Sequence, residues 1–553
     1  MAVPLARMRQ LNLGGRTVPV RLTPSYICIL LGMYSIAATA APTQNMLDRI
    51  ADAGFNHSEV VDTAAYLADE IGGRMTNSPA MRRAEAWTQE RFKSWGLKDV
   101  RTERFDFGRG WWIESSHVRM SAPRPLELRA IPIAWTPGTN GVLSGALIVA
   151  PMFNQSDFAD WKGKLAGKIV LISWPAPPKD DGDAPFQRLN EADIKKFDTY
   201  EQPTFDPAAL QKRIERFRFK SDLDAFLVQE GALAWAQMSR TEGRLVHGEG
   251  SGYRVGKTPK LPGLELGAED YRRLARLAKR GEVRLEIDSR VHFEDADHNA
   301  YNILADIPGV DPRSGYVMAG AHLDSWVAGD GAADNGAGSV VVMEAARILA
   351  SLGVRPKRTI RFALWAGEEE GLLGSAAYVD QHLAHRPTPT DPALADLPPF
   401  YRNDLYPVQS LAEFSEMAGY FNIDNGSGKI RGIFAEGNLA APILREWLSP
   451  FASLGANAVV ARPTGSTDHV FLSRLGLPAF QFIQDPLDYG SRVHHTDLDT
   501  FDHLRPEDLR QASVVLAGVL LIAADSEKPL PSKPLPTQPA ITDPFQYPDP
   551  SKK

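Results

Sequence analysis

Two short stretches of the chain concentrate imidazole and carboxylate side chains. The first stretch, AGAHLDSWVAGDGAADNGAG, contains His322, Asp324 and Asp334. The second stretch, RFALWAGEEEGLLGS, contains Glu368, Glu369 and Glu370. Imidazole together with several carboxylates is the ligand chemistry of zinc or a similar divalent ion. The residue types therefore point to a metal-dependent reaction.

Each stretch follows a short apolar run, at 316–321 and at 359–366, that predicts a buried strand. Asp334 opens a helical pattern that Gly353 ends. We therefore expect the imidazole and the glutamates where strands of an α/β sheet end. That edge is where open sheets hold their ligands.

Two further candidates lie downstream: Asp424 ends the run YFNID before a turn, and His495 lies in RVHHTDLDTFD. A pair of divalent ions needs a shared carboxylate and terminal ligands on each side. The sequence offers five side chains for that purpose: His322, Asp334, Glu369, Asp424 and His495. Taken singly, an aspartate at a strand end is typical of a turn or cap, but the joint pattern favours a metal site. Three other polar residues are interpreted as structural, surface or turn residues: Asp330, His469 and His503.

The bulk composition excludes some classes of protein. The 553 residues carry a net charge of -7, with 43% hydrophobic and 23% charged residues, as in ordinary globular proteins. We expect no nucleic-acid partner, because nucleic-acid binding requires a basic face.

The N-terminus has the pattern of a secretory signal, which we assign to residues 1–40. Arginines are the only charged residues before position 41, and an apolar run at 26–36 precedes the small residues at 38–40. The run is short for a bilayer span, so we predict an exported protein, periplasmic or extracellular, without a stable membrane span after removal of the signal. The only cysteine, Cys28, would leave with the signal. The mature chain would then have neither disulfides nor thiolate metal ligands.

The secondary-structure pattern that the sequence predicts changes along the chain. Residues 42–119 and 292–526 have an α/β pattern, and residues 120–291 have β-like runs such as GALIVA and GKIVLISW. Within this second region FLVQEGALAWAQM, residues 226–238, predicts a short helix broken at Gly231. We interpret 120–291 as a β-rich domain inserted into the first. The Pro-rich residues 527–553 are predicted to form a disordered tail.

Five motifs, HLDSW, GAADNGAG, GEEEGLLGS, FNIDNGSG and HHTDLDT, together resemble the co-catalytic zinc exopeptidases in order and spacing. That family includes bacterial leucyl aminopeptidases, aminopeptidase S and the carboxypeptidase Q type of dipeptidase. The resemblance spans roughly 42–120 and 292–526, and it implies a mixed β-sheet flanked by helices. The insert resembles, more weakly, the protease-associated domain found in many members, through GKLAGKIVLI and LPGLELGAEDYRRL.

The resemblance implies two zinc ions per chain and a role for each candidate. Asp334 would bridge the ions, Glu369 and His495 would complete one, and His322 and Asp424 the other. Glu368 would be the general base, which takes a proton from a metal-bridged water and passes it to the leaving amine.

Neighbouring residues receive supporting roles by the same resemblance. Asp324 would accept the free ring N–H of His322. The family has a cis peptide near the bridging aspartate, so Asp334–Asn335 is expected to be cis. Asp499 is read either as a partner of His495 or as a helix cap.

Two departures from the wider family favour the carboxypeptidase Q branch. Ala333 stands where many members have a first acid, and the pair His494–His495 also resembles that branch. His494 is either an oxyanion donor or a rim residue. No tyrosine precedes the ligand histidine, which argues against a glutamate-type carboxypeptidase pocket.

We therefore predict a metallo-exopeptidase that acts on peptides or dipeptides near a free N-terminus, as an aminopeptidase or a dipeptidase. A carboxypeptidase activity of the same family stays open as an alternative. Assembly into a homodimer stays open as well. Two rival classes share the fold: glutaminyl cyclase, which uses one zinc, and a non-catalytic receptor-like binding protein. The complete set of five ligands and the presence of Glu368 argue against both.

Overall fold

Two eight-stranded β-sheets organise the described part of the chain. The structure is a computed structural model that describes residues 44–178, 185–199, 206 and 208–538. The predicted signal, residues 1–40 with Cys28, lies outside the described residues, and so does the predicted tail from residue 539 onward.

The described residues form 18 strands. In chain order they are β1 (Lys98–Asp106), β2 (Gly110–Ala122), β3 (Leu126–Glu127), β4 (Ala130–Pro132), β5 (Leu143–Val149), β6 (Lys168–Leu171), β7 (Ala234–Met238), β8 (Gly263–Leu266), β9 (Arg284–Glu294), β10 (Asn299–Ile307), β11 (Tyr316–His322), β12 (Thr359–Trp365), β13 (Ala384–His385), β14 (Gln409–Ser410), β15 (Met417–Asn422), β16 (Ile430–Phe434), β17 (Ala458–Val460) and β18 (Ala479–Gln484).

The same residues form 13 α-helices. They are α1 (Gln44–Asn56), α2 (Val60–Ala65), α3 (Pro79–Ser94), α4 (Phe158–Trp161), α5 (Glu191–Phe197), α6 (Ala209–Gln229), α7 (Ala268–Ala278), α8 (Ala337–Ser351), α9 (Leu373–Tyr378), α10 (Pro392–Ala395), α11 (Ala441–Leu448), α12 (His469–Ser473) and α13 (Pro506–Asp525). Single turns of 3₁₀ or π-helix lie between them, including Ala332–Gly336 immediately before α8.

The main sheet has the strand order β1-β10-β12-β11-β15-β18-β16-β17. The pairs β12/β11, β11/β15, β15/β18 and β16/β17 are parallel, whereas the pairs β1/β10, β10/β12 and β18/β16 are antiparallel. Every residue of β11, YVMAGAH, is buried, as expected for a central parallel strand covered on both faces. Helices α8 and α13 are buried along almost their whole length against this sheet and each other. The predicted mixed sheet flanked by helices is confirmed.

The second sheet, with the order β3-β2-β9-β5-β6-β7-β8-β4, is formed by a segment inserted between β1 and β10. It has its own apolar core, which includes Met120, Leu171 and Leu264. Its entry and exit strands, β2 and β9, pair along their length. The predicted insert limits, 120 and 291, fall within these two strands, so the second sheet begins earlier and ends later than the sequence suggested. The stretch WWIES continues as a strand because no glycine or proline interrupts it.

The predicted broken helix at 226–238 is wrong in its second half. Helix α6 ends at Gln229, and residues 234–238 form strand β7 between β6 and β8. The residues AWAQM have good helix propensity, but pairing with two neighbouring strands decides their conformation.

The C-terminal residues 527–538 have neither helix nor strand, yet Leu530 is buried in the main core. Packing of the chain thus continues past the predicted start of the tail at 527. No helix among the described residues has the length and apolarity needed to cross a membrane.

Candidate metal centre

The carboxyl ends of four parallel strands form one edge of the main sheet, and the candidate ligands lie there. His322 is the last residue of β11, Glu369 follows β12, and Asp424 follows β15. His495 comes after β18 and a single π-helical turn at Tyr489–Val493. Parallel pairing of β12, β11, β15 and β18 brings these chain segments together.

Asp334 lies between two groups of these side chains. Its Oδ1 atom is 3.3 Å from His322 Nε2, and that nitrogen is 3.4 Å from Asp424 Oδ1. Its Oδ2 atom is 3.2 Å from His495 Nε2, and that nitrogen is 3.1 Å from Glu369 Oε2. Each carboxylate oxygen of Asp334 therefore faces a different pair of ligand-type atoms.

These separations fit a shared metal better than direct hydrogen bonds. Two ligand atoms about 2.0–2.1 Å from one tetrahedral zinc ion lie about 3.3–3.4 Å apart. The four separations, 3.1–3.4 Å, lie near that value and at or beyond the long end of the usual hydrogen-bond range. Asp334 Oδ2 and Glu369 Oε1 are also buried without a hydrogen-bond partner. Because buried polar atoms are normally satisfied, these orphaned oxygens, both on the side of His495, fit a bound cation.

The electrostatics of the centre also favour bound cations. Burial raises the pKa of Glu368 well above its usual range. Burial, together with the nearby charge of Asp334, raises the pKa of Glu369 to about 7 and that of Asp499 to about 8. A buried group of carboxylates is costly to ionise unless positive charge compensates it, which divalent ions would do.

Asp324 accepts the free ring N–H of His322, as the resemblance implied, but with its main-chain oxygen and not with its carboxylate. The Nδ1 atom of His322 lies 2.9 Å from the main-chain oxygen of Asp324, whereas the nearer carboxylate oxygen is 3.7 Å away. The Asp324 carboxylate instead accepts the backbone N–H groups of Glu368 and Glu369, at 3.3 and 3.2 Å. The main chain turns back directly after His322. The carbonyl oxygen of Asp324 therefore lies closer to the imidazole ring than its carboxylate does. The carboxylate then holds the loop that carries the glutamates.

Asp499 supports the loop that carries Asp334. Its two oxygens accept the backbone N–H groups of Ala333 and Asp334, at 2.6 and 3.0 Å. Asp499 thus caps the π-helical turn Ala332–Gly336 and holds the loop that presents Asp334. The Asp334–Asn335 peptide bond is cis, as the family resemblance implied.

Glu249 belongs to the second sheet's segment, and sequence reasoning missed it. Its Oε1 atom lies 2.6 Å from Nδ1 of His495. Its surroundings, HGEGSG, resemble no metal-binding motif, and only the folded chain brings the two residues together.

Arg74 is a second residue that the sequence did not reveal. Its fully buried guanidinium donates to the main-chain oxygens of Gly72, Leu323, Asp330 and Gly331, at 2.7–3.1 Å. It therefore fixes the loop between β11 and α8. A buried arginine directed at carbonyls has no sequence signal beyond its position after two glycines.

The other histidines of the region differ in their surroundings. His494 is 43% exposed, stacks on His495 and lies with Nε2 3.6 Å from Asp334 Oδ2. His503 contacts Asp488 at 2.8 Å. His469, in contrast, is fully buried, with Nε2 3.3 Å from Glu436 Oε1.

Comparisons with known sequences and known structures point to one protein family. The sequence profile of peptidase family M28 matches residues 302–520. Carboxypeptidase Q of Xenopus laevis is 30% identical over 478 residues, which cover 84% of this chain and 86% of that protein. The crystal structure of a peptidase M28 precursor from Shewanella amazonensis SB2B has a TM-score of 0.63 at 24% identity, covering 90% of this chain and 99% of that one. The zinc aminopeptidase BSAP from Bacillus subtilis has a TM-score of 0.54 at 20% identity, with coverage of 85% and 95%.

The sequence relatives and the fold are those of a metal-dependent hydrolase. The chain belongs to peptidase family M28. The predicted family and the predicted class of enzyme, a zinc-dependent metallopeptidase, are confirmed.

Proposed function

We propose that this protein is an exported exopeptidase that holds two zinc ions and hydrolyses peptide bonds near a free N-terminus. The observation that carries the proposal is the position of Asp334, whose two oxygens face two separate ligand pairs. A carboxylate placed in this way is what a pair of co-catalytic ions requires. Relatives named carboxypeptidase Q and leucine aminopeptidase support the substrate class, a peptide or a dipeptide.

The residues of the two groups would share the ions as follows. His322 and Asp424 would hold one ion, Glu369 and His495 would hold the other, and Asp334 would contribute one oxygen to each. When bound, the zinc ions would polarise the scissile carbonyl and lower the pKa of the attacking water.

Glu368 is the side chain placed to move protons. Its Oε2 atom lies 3.8 Å from His322 Nε2, beside the ligands but outside both ligand pairs. The adjacent Glu369 points to the opposite ligand group, at His495. Glu368 would accept a proton from the attacking water and deliver it to the leaving amine. Its buried position, 8% exposed, would limit exchange of that proton with solvent.

Two proposals concern the rest of the chain. Residues 1–40 would be a secretory signal, which would make the mature enzyme periplasmic or extracellular. Residues 120–291 would be a protease-associated domain, since they contain most of a separate β-rich sheet with its own core.

Product analysis on short peptides tests the proposed specificity. The purified enzyme would be given a tripeptide and a dipeptide, each with a free or acetylated N-terminus and a free or amidated C-terminus. An aminopeptidase releases the first residue of amidated substrates, whereas a dipeptidase requires both free termini. Cleavage of N-acetylated tripeptides with release of the C-terminal residue would contradict the proposal and favour a carboxypeptidase. The Glu368→Gln variant is the control for a contaminating peptidase.

A further inference from the structure

The metal centre receives one of its contacts from the second sheet. Glu249 lies between β7 and β8, and its Oε1 atom is 2.6 Å from His495 Nδ1. An imidazole beside a carboxylate donates its N–H to it, which leaves the lone pair on Nε2 free. That Nε2 atom is the one that faces Asp334 and Glu369. The contact thus fixes both the tautomer and the direction of the ring.

Glu249 is itself held in place by the second sheet. Arg240 donates from both terminal nitrogens to the two carboxylate oxygens of Glu249, at 2.5 and 2.9 Å. Paired, planar contacts of this kind fix the orientation of a carboxylate. The chain of contacts therefore runs from Arg240 through Glu249 to His495.

The loop that carries His495 is fastened to the second sheet at another point. The Asp497 carboxylate accepts the N–H of Val246 at 3.1 Å, and its own N–H donates to the Val246 carbonyl at 3.2 Å. Arg129 of the second sheet also pairs with Asp497. On this loop, Asp497 fastens the two sheets together. The orientation of the His495 ring depends on a different contact, the one with Glu249.

The two histidines of the centre differ in this respect. The ring of His322 is held by the main-chain oxygen of Asp324, two residues away on the same loop. The ring of His495 is held by a side chain 246 residues away in sequence. One half of the centre is therefore complete within the main sheet, and the other half is not.

We propose that Glu249 is a positioning residue that makes zinc binding on the His495 side depend on the inserted sheet. The inference rests on the proposed two-zinc function and gives the insert a definite part in it. Loss of the outer partner of a metal-ligating histidine typically weakens metal affinity by about 10- to 100-fold.

Zinc titration of purified, metal-free variants tests the proposal. Glu249→Ala should keep one tight zinc position and weaken the other by about 10- to 100-fold. Glu249→Gln keeps the size of the side chain and serves if the alanine variant does not fold. Glu249→Asp, which keeps the charge, should restore part of the affinity. Glu286→Ala is the matched control, because Glu286 also pairs with an arginine of the second sheet, on an exposed face.

Arg129→Ala separates positioning from docking, since it removes the pair with Asp497 but leaves the Glu249–His495 contact intact. We expect this variant to bind both ions at nearly wild-type affinity. The inference is overturned if the Glu249 variants bind both ions as the wild type does, or if Arg129→Ala loses as much zinc affinity as they do. A wild-type protein that binds no zinc pair would instead contradict the proposed function itself.

Discussion

The carboxylate of Asp499 supports the loop of Asp334, and its removal has a cost that can be estimated. Its oxygens accept the N–H groups of Ala333 and Asp334 at 2.6 and 3.0 Å, in a site that is 3% exposed. A buried N–H group that is left without an acceptor costs about 1–3 kcal/mol. Asp499→Asn keeps one acceptor oxygen but turns an NH₂ group towards the other N–H.

We therefore expect Asp499→Asn to lose about 1–3 kcal/mol of loop stability. If the rest of the fold tolerates a loosened loop, the loss appears in zinc affinity, as about a 5- to 150-fold decrease. If the rest of the fold does not tolerate a loosened loop, the free energy of unfolding decreases by the same amount. Urea denaturation of the metal-free protein and zinc titration together measure both parts.

The exposed Asp502, three residues further along the chain, provides the matched control. Asp502→Asn changes the same chemical group without touching the loop of Asp334 and should change neither quantity. An Asp499→Asn protein that differs from wild type by less than about 0.5 kcal/mol in both measurements would refute the assigned role.

Three further predictions follow from the contacts described above. Glu368→Gln should retain zinc but lower turnover by about 10²- to 10⁴-fold, as measured by steady-state kinetics alongside metal analysis; a variant that loses its zinc as well would contradict the assignment as base. Arg74→Met should lower the free energy of unfolding by at least about 3 kcal/mol, because it leaves several buried carbonyls without a donor; an unchanged urea midpoint would count against it. The carboxylates of Glu103 and Glu413 raise the pKa of His382. The protonated ring therefore stabilises the fold fully below the unfolded pKa of about 6.5, and this stabilisation is lost as the pH rises through the pKa of His382 in the folded protein. His382→Gln should therefore be least stable relative to wild type between about pH 5 and 6.5, and a stability difference that does not change with pH would disprove this linkage.

Local sequence patterns predicted the elements that carry the centre. The apolar runs at 316–321 and 359–366 became β11 and β12 to within one residue, because a strand buried on both faces has a continuous apolar run. Asp334 was expected to open the helix, but α8 begins three residues later, at Ala337, and Asp334 has a non-helical backbone. The five side chains predicted to converge lie together because parallel strands end at one edge of a sheet.

Contacts between distant segments could not be predicted in the same way. Glu249 reaches His495 only because the second sheet docks on the loop after β18, and no motif encodes that docking. The partners of Asp499 are backbone N–H groups, which every residue offers, so its sequence neighbourhood does not identify them. Strand β7 was misread for a related reason, since its conformation depends on the strands beside it.

The central claim, that Asp334 is shared by two zinc ions, is tested most directly by the zinc content of the folded protein. Metal-free protein reloaded with zinc and freed of excess should contain two ions per chain, measured by mass spectrometry of the metal against protein concentration. The Asp334→Asn variant should lose both, because the amide NH₂ replaces the oxygen that faces one ion and the negative charge that offsets both ions is gone. One ion or none in the wild type, or two ions retained by a folded Asp334→Asn protein, would contradict the account.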